Sequence, residues 1–403
     1  MNLTETTQNA QLAMSLEEQI ARLQALLEAS RQVHATIVPE EVMLDTARVL
    51  VRELEMEGAG FVSAATGALV TSYGIMPETP FDGCQRFDLH AKDGTVLATL
   101  VVAVGREGCR LTMYEQDFIE GLVLQAAVAL ENALYHERDL QWARVQQDLE
   151  AARGIQRSLL PKRMPAIHGV SVAARTVTCY EVGGDYLDVV EMPDGSHLFV
   201  VADVAGKGLA SAIVATSFRS AFRALTTQPM TLAEMASRVG QHHWEEGQES
   251  RRRYVTAIFV RFHPAGGLLE VVNAGHNPAA LIGADGALRM IEASGTPLGL
   301  LPGMQYTAES FPFPAGSKLL LYTDGLTEVF RDEEEFGAER LAEAFREMHT
   351  LDAEESLEAL WAQLQAFSTG GPQTDDMTAL ALIHQPGMSA AADHGQAKGT
   401  AGA

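Results

Sequence analysis

Two apolar segments of this chain each end in an aspartate that is followed at once by a glycine-containing turn. The segment LFVVAD ends at Asp203 and leads into VAGKG, and the segment KLLLYTD ends at Asp324 before Gly325. A carboxylate at the end of a buried strand is costly to desolvate unless a cation pairs with it. Glycine lets the backbone come close to a ligand. We therefore expect a fold that brings these strand ends to one cation-binding site.

Two further acidic positions have a similar setting. Asp185 follows two glycines in EVGGDYLDVV, and Asp375 and Asp376 precede the apolar segment MTALALI. A single Asp-Gly pair is usually only a turn, so the argument rests on all of these positions together. Several carboxylates that converge with few basic residues nearby predict a site for Mg²⁺ or Mn²⁺, which prefer oxygen ligands.

Net charge and composition argue against several classes of partner. The formal net charge of −24 over 403 residues argues against nucleic acid, whose phosphates such a surface repels. No apolar run approaches the roughly 20 residues of a membrane-spanning helix, and the N-terminus lacks the pattern of a secretory signal. Cys84, Cys109 and Cys179 lack CxxC spacing, which favours reduced thiols. We expect a cytoplasmic protein with no membrane partner.

The N-terminal segment 1–38 predicts a helix over Ser15–Val38. Its apolar positions alternate four and three residues apart, at Leu16, Ile20, Leu23 and Leu27. This spacing is typical of a short coiled coil. An amphipathic helix that lies on its own domain is the alternative interpretation.

Residues 39–135 predict a small α/β domain. A helix is expected at Glu40–Glu53, and Asp93-Gly94 is typical of a hairpin turn before a buried strand at Val96–Val104. Thr112 then caps a long helix. This order, ending in LTMYEQDFIEGLVLQAAVALENA, resembles a GAF-type sensor domain. No Cys/His cluster indicates a haem or a metal, so the sequence does not identify the ligand, and a small molecule and a protein both stay open.

The long helix is expected to continue through a linker over residues 136–165. Its apolar positions keep the three-four spacing at Trp142, Val145, Leu149, Ala152 and Leu159. Pro161 and Pro165 end it. Such a seam predicts a parallel homodimer through the helical linker, and packing of the last turns on the catalytic domain is the alternative.

From Val170 onward strands and helices alternate. Strands are expected at Val170–Val177, Leu198–Ala202, Val255–Phe262, Leu268–Asn273, Leu319–Thr323 and Met377–Ile383. Helices are expected at Leu209–Leu225, Leu232–Glu246, Ala338–Met348 and Ala353–Phe367. The tail 385–403 is small, polar and turn-forming, and it predicts disorder.

Six motifs of this region resemble, in order, those of PPM-type phosphatases of the bacterial SpoIIE/RsbU branch. They are EVGGDYLD, VADVAGKGLASA, NAGHNPA, GTPLGL, LLLYTDGLTE and QTDDMTALAL. The resemblance extends from Ile155 to about Ile383. It implies an α+β chain whose C-terminal domain, 166–384, is a PPM phosphatase βααβ sandwich behind the sensor domain and linker.

The resemblance also implies the chemistry and its residues. Asp185 would ligate one metal ion, Asp203 would bridge two, and the Val204 carbonyl would assist. Asp324 and Asp375 would ligate the second ion, with Asp376 the less favoured of its pair. Two Mn²⁺ or Mg²⁺ ions would activate a water for attack on phosphorus. The implied substrate is a phosphoserine or phosphothreonine protein, of the anti-sigma-factor antagonist (STAS) type, in a partner-switching pathway.

Some residues call for a different interpretation. His276 in GHNP is more typical of a hydrogen-bonding structural histidine than of a ligand. Lys207 stands where many PPM members carry histidine, which leaves its role open. The sequence AGKG lacks the spacing of a nucleotide-binding loop. The run Arg251-Arg252-Arg253 predicts a solvated loop. The less favoured alternative is a basic patch that guides a phosphoprotein.

Two rival functions remain. A sensor domain and helix often precede a second-messenger cyclase, and GGD occurs at Gly183–Asp185, but the Glu-Phe typical of those enzymes is replaced by Tyr186-Leu187. A non-catalytic scaffold would be favoured by a missing metal-ligand aspartate, and none is missing.

Overall fold

The computed structural model describes residues 3–78, 81, 83–105 and 110–385. The chain divides into two compact units, Met1–Gln146 and Gln147–Ala403. The expected tail lies outside the described residues from 386 onward, as does Cys109.

The N-terminal unit is a four-stranded antiparallel sheet with helices. The sheet order is β2-β1-β4-β3. Its elements are α1 Leu3–Val33, α2 Pro39–Glu53, β1 Gly58–Ser63, β2 Leu69–Gly74, β3 Gln85–His90, β4 Val96–Ala103 and α3 Met113–Leu159. The expected helix at Glu40–Glu53 and strand at Val96–Val104 are confirmed. The first helix is longer at its start than predicted and ends at Val33 instead of Val38.

Helix α1 has two faces with different environments. Ala29 and Val33 are buried in the core of the N-terminal unit, and Leu26 packs against it. The predicted stripe of Leu16, Ile20, Leu23 and Leu27 is exposed. The end of α1 therefore lies on its own domain, as in the alternative interpretation, but through a different face from the predicted stripe.

Helix α3 runs without interruption over the predicted linker. Its start is capped as expected, since Glu115 N donates to Thr112 Oγ1 at 3.2 Å and Thr112 N donates to Glu115 Oε2 at 2.7 Å. Among the described helices, α3 is the one long and apolar enough to cross a membrane by length and composition. Half of its most apolar window is buried, as in a helix that closes a protein core, so this is weak evidence for a membrane span.

The C-terminal unit contains the remaining helices and strands. Its strands are β5 Val170–Val177, β6 Tyr186–Glu191, β7 His197–Val204, β8 Val255–His263, β9 Leu268–Ala274, β10 Ala279–Ile282, β11 Leu288–Ile291, β12 Glu309–Pro312, β13 Lys318–Tyr322, β14 Phe330–Arg331, β15 Glu334–Glu335 and β16 Met377–His384. Its helices are α4 Leu209–Leu225, α5 Leu232–Glu245, α6 Gln248–Arg251, α7 Ala338–Glu347 and α8 Ala353–Ser368.

Two five-stranded sheets form the centre of this unit. Their orders are β11-β10-β13-β16-β5 and β12-β9-β8-β7-β6, and every neighbouring pair is antiparallel. One apolar cluster joins residues of both sheets, such as Phe199 and Leu321. Helices α4 and α5 cover one outer face, and α7 and α8 cover the other.

The layers therefore run helix, sheet, sheet, helix. The predicted βααβ order of layers is wrong, because the helices lie outside and the sheets lie inside. The physical reason is that these strands are apolar on both faces, whereas each helix has a single apolar stripe to bury. The end of the sandwich where β7, β13 and β16 meet holds the predicted site residues.

Candidate metal and phosphate site

Three of the predicted aspartates line one pocket, which we call the carboxylate pocket. Asp203 is the penultimate residue of β7, Asp324 begins a 3-10 turn just after β13, and Asp375 lies just before β16. These three and Lys207 line a space of about 370 Å³. Because β7 belongs to one sheet and β13 and β16 to the other, the pocket lies where the two sheets come together.

Asp185 lies behind this pocket and is buried. It precedes β6, and its Oδ2 accepts a hydrogen bond of 2.8 Å from Thr323 Oγ1. Thr323 is itself the residue before Asp324. Thr323 was not predicted from the sequence, although its place directly before the aspartate in LYTDG was a usable signal.

The neighbouring aspartates Asp375 and Asp376 have different environments. Asp376 Oδ1 accepts from Cys179 N and Asp376 Oδ2 accepts from Gly184 N, both at 2.8 Å. Its carboxylate thus fixes the loop before Asp185. Asp375 instead lines the carboxylate pocket, and its role as a ligand stays a prediction.

Two glycines allow this close packing. A Cβ on Gly183 would lie 2.2 Å from Asp376 Oδ2, and a Cβ on Gly325 would lie 2.0 Å from the Asp376 carbonyl oxygen. A side chain at Gly325 would collide with backbone, and one at Gly183 would displace the Asp376 carboxylate, so glycine preserves this arrangement at both positions. A Cβ on Gly184 would lie 2.9 Å from the carbonyl oxygen of Val204, the last residue of β7. The backbone carbonyl predicted to assist therefore belongs to the same cluster.

The carboxylates raise one another's pKa values. Burial first, and then the charge of Asp324, raises the pKa of Asp203 to about 7. Burial and the charge of Asp203 raise the pKa of Asp185 well above its usual range, and burial with Asp375 raises the pKa of Asp324. Each carboxylate resists ionisation because its neighbours are acidic and water is excluded. Such a cluster needs a cation to hold its charge.

Lys207 is the one basic side chain among the residues that line the carboxylate pocket. Its Nζ lies 2.8 Å from Asp375 Oδ2 and donates to the Thr374 carbonyl oxygen at 2.7 Å. The hydrogen bond to Asp375 raises the pKa of this ammonium group. Lys207 thus supplies a single positive charge at the Asp375 side of the pocket.

The donor set fits Mg²⁺ or Mn²⁺, since it consists of mutually repelling carboxylates and a backbone carbonyl. Within the described residues, however, no three acidic, histidine or cysteine side chains are yet placed around one point as metal ligands. The side chains converge on one pocket, and binding an ion requires them to adjust.

His276 contacts the protein as a structural histidine does. It is buried, and its Nδ1 lies 2.9 Å from Thr256 Oγ1. Burial lowers its pKa to about 4, so the ring is neutral near pH 7. The hydroxyl of Thr256 also donates to the Asp203 carbonyl oxygen at 3.4 Å. This geometry supports β7 near Asp203.

Helix α3 holds the loop before Asp185 through Gln156. Gln156 Nε2 donates to the Gly183 carbonyl oxygen at 2.7 Å, and Gly183 N donates to Gln156 Oε1 at 3.1 Å. One side chain therefore satisfies both polar backbone groups of Gly183, two residues from Asp185. Gln156 was not predicted from the sequence, because none of the residues next to it in the chain indicates that Gly183 is its partner.

Two other sequence features, the arginine run and the GGD segment, contribute no glycine or arginine to the lining of the carboxylate pocket. In the Arg251-Arg252-Arg253 run, Arg251 stacks on Trp244 and Arg252 pairs with Glu249, as expected for a surface segment. Gly183 and Gly184 precede β6 and do not form the β6–β7 hairpin tip, which argues against the cyclase alternative.

Comparison with known proteins places the C-terminal unit. Its fold matches the SiaA-PP2C domain of Pseudomonas aeruginosa, with a TM-score of 0.53 and 21% identity over 60% of this chain and 98% of that one. The C-terminal unit therefore has a PP2C-like mixed α/β fold. Residues 193–385 match the family described as Stage II sporulation protein E (SpoIIE). Nearly half of the chain, all of it within the C-terminal unit, is therefore similar to this family.

Two curated relatives are similar in sequence to part of this chain. Phosphoserine phosphatase RsbP of Bacillus subtilis is 27% identical over 44% of this chain and 45% of its own length. Phosphoserine phosphatase RsbU of the same organism is 22% identical over 46% of this chain and 54% of its own length. The chain thus spans about half the length of these relatives.

Proposed function

We propose that this chain is a metal-dependent protein serine/threonine phosphatase. The observation that carries the proposal is the convergence of Asp203, Asp324 and Asp375 on one pocket, with Asp185 buried behind it, in a SpoIIE-type domain. Asp185, Asp203, the Val204 carbonyl, Asp324 and Asp375 would hold two Mn²⁺ or Mg²⁺ ions. Such ions acidify water and neutralise phosphoryl oxygens when bound.

The protein's own residues prepare the pocket for this chemistry. Thr323 and Asp376 orient Asp185 and its loop by hydrogen bonds. Lys207 is placed to attract a phosphate dianion into a pocket that is otherwise acidic. None of the described cysteines is placed as a nucleophile in the pocket, so direct attack by water is the mechanism we favour.

We further propose that the substrate is a phosphorylated STAS-type anti-sigma-factor antagonist, and that the protein acts in the cytoplasm. The names of its relatives, phosphoserine phosphatases RsbP and RsbU, support phosphoserine as the group that is hydrolysed, and the STAS type is what the motif resemblance implies. The N-terminal unit would be a GAF-like sensor that controls the phosphatase. The exposed stripe on α1 and the exposed Trp142 and Val145 on α3 support a homodimer through a coiled-coil linker.

The test of the activity is phosphate release from a phosphoserine peptide with Mn²⁺, with Mg²⁺ and with chelator. We expect metal-dependent release, and Asp203→Ala should lower kcat by several orders of magnitude because one residue serves both ions. Release that resists chelator, or full activity of Asp203→Ala, would contradict the mechanism. Normal Mn²⁺ binding without hydrolysis of any phosphopeptide would favour the non-catalytic scaffold.

A further inference from the structure

A second pocket adjoins the carboxylate pocket, and we call it the α8 pocket. It has a volume of about 650 Å³ and lies between α8, β5 and the segments that follow Asp324 and precede β16. Its floor is apolar, and its rim is polar. The floor residues are Val177, Trp361, Leu364 and Met377.

The wall between the two pockets is one residue thick. Gly325 and Thr374 line the α8 pocket, whereas Asp324 and Asp375, their neighbours in sequence, line the carboxylate pocket. Consecutive Cα atoms are only about 3.8 Å apart. Lys207 Nζ binds the Thr374 carbonyl oxygen from the carboxylate side. A ligand that crosses this wall therefore occupies both pockets.

The rim of the α8 pocket carries unbalanced negative charge. Glu328 and Asp332 lie on it, and in the part of the chain that the structure describes neither forms an ion pair. The one basic group in the lining, Arg175, lies over the ring of Trp361 at 4.9 Å. A basic side chain would complement Glu328 and Asp332, and an apolar side chain would complement the floor.

Selectivity for one phosphoprotein requires contacts of this kind. A phosphate group looks the same on every phosphoserine, so the carboxylate pocket alone distinguishes substrates poorly. Binding energy from parts of the substrate that do not react can be used to orient the reacting group. The α8 pocket is the neighbouring space with the size and the mixed lining for this task.

We propose that the α8 pocket is a docking subsite for the substrate polypeptide beside its phosphoserine. It takes one apolar side chain on the floor and one basic side chain at Glu328 and Asp332. The two pockets share a wall one residue thick, and an extended peptide advances about 3.3 Å per residue, so we place these side chains about two to four positions from the phosphoserine. The inference rests on the phosphatase function proposed above and adds its selectivity.

The test compares two kinds of substrate in the full-length protein with Mn²⁺. p-Nitrophenyl phosphate is small enough to need only the carboxylate pocket. Phosphoserine peptides carry leucine and lysine two to four residues before or after the phosphoserine, with alanine at these positions in the reference peptide. We expect one leucine-lysine peptide to have a KM at least tenfold lower than the reference peptide.

Three variants locate the effect. Gln365 is exposed on α8 in the lining of the pocket, and Gln365→Trp should fill it and remove the tenfold preference. Gln363→Trp is the matched control, since Gln363 is exposed on the same helix outside this lining. Asp332→Asn keeps a residue type that tolerates the positive φ of 56° at this position and should remove only the preference for lysine.

The outcomes separate the two proposals. Normal hydrolysis of p-nitrophenyl phosphate with no preference among peptides, or with a preference that Gln365→Trp leaves unchanged, overturns the docking subsite and leaves the phosphatase intact. An equal loss in Gln363→Trp also overturns it, because the effect would not come from the pocket. Failure of all substrates with Mn²⁺ overturns the phosphatase proposal itself.

Discussion

Asp203 makes the stability of the metal-free protein depend on pH. Its pKa is raised from 3.8 to about 7 in the fold, so between these values the native state keeps a proton that the unfolded chain loses. The free energy of unfolding therefore falls as pH rises from about 4 to 7, by at most about 1.4 kcal/mol per pH unit for this group. We expect the Tm in chelator to fall between pH 5.5 and 7.5.

Two comparisons test the assignment to Asp203. Asp203→Asn should show a flatter dependence of Tm on pH, because the titrating group is gone. Mn²⁺ should raise the Tm of the wild type at pH 7.5 and should raise that of Asp203→Asn much less. Identical calorimetric profiles for the two proteins in chelator would show that the pH dependence arises elsewhere.

Lys207 competes for the carboxylate that we assign to a metal ion. Its Nζ is 2.8 Å from Asp375 Oδ2, and the side chain is about half exposed. Removing a partly exposed ion pair changes a binding energy by up to about 1 kcal/mol. We therefore expect Lys207→Met to bind Mn²⁺ about threefold more tightly by calorimetry at pH 7.5, with Lys207→Arg close to the wild type. Weaker binding by Lys207→Met would mean that the ammonium group supports the site.

At the scale of elements, α3 connects directly with the loop of Asp185. The two hydrogen bonds between Gln156 and Gly183 are lost in Gln156→Ala, and the loop is then free to shift. We expect a fall in kcat and in Mn²⁺ affinity with little change in Tm. Gln156→Glu keeps only the acceptor for Gly183 N. Its kcat and Mn²⁺ affinity should therefore lie between those of Gln156→Ala and those of the wild type. Unchanged Mn²⁺ affinity in both variants would exclude a link between helix and site.

The exposed seam of α3 gives a second prediction at this scale. Val145→Asp or Leu149→Asp should disrupt the proposed dimer. Phosphatase activity should then no longer depend on the state of the proposed sensor unit. Gly154→Ala should instead stabilise the helix by about 1 kcal/mol and so make it stiffer, since a Cβ there meets no atom within 4 Å. Light scattering and phosphatase assays measure both. A monomeric wild type with full activity that none of these changes alters would contradict the prediction.

Elements with strong apolar patterns were predictable from sequence. Strand Val170–Val177 and helix Leu209–Leu225 have the predicted bounds, because runs of apolar residues and helical spacing determine them locally. Strand β6 was missed because its start, GGDYLD, has the composition of a turn. The short strands Ala279–Ile282 and Glu309–Pro312 were also missed, since pairing with distant neighbours makes them strands.

The candidate site was predictable only in part for the same reason. The aspartates stand out because charge at the end of an apolar strand is unusual. Thr323 and Gln156 do not stand out, because their roles depend on partners that are distant in sequence, such as Asp185 and Gly183. The α8 pocket could not be predicted at all, since helix, loop and strand ends that no local pattern relates surround it.

For the whole molecule, the net charge of −24 acts on every encounter with a substrate. A negatively charged phosphopeptide is repelled at low ionic strength, and salt screens this repulsion over a Debye length of about 10 Å at 0.1 M. We expect kcat/KM for an acidic phosphoserine peptide to rise between about 0.02 and 0.2 M NaCl, and for a lysine-bearing peptide to fall. Parallel salt profiles for the two peptides would exclude electrostatic steering.

The position of β16 in its sheet has a consequence for protein synthesis. This strand lies between β13 and β5, and it pairs with both. Asp375 and Asp376 come just before it, so a nascent chain that has emerged only as far as α8 lacks both an interior strand of this sheet and part of the cluster of carboxylates. Because domains fold as units during translation, the proposed phosphatase site cannot be complete on the ribosome before β16 has emerged.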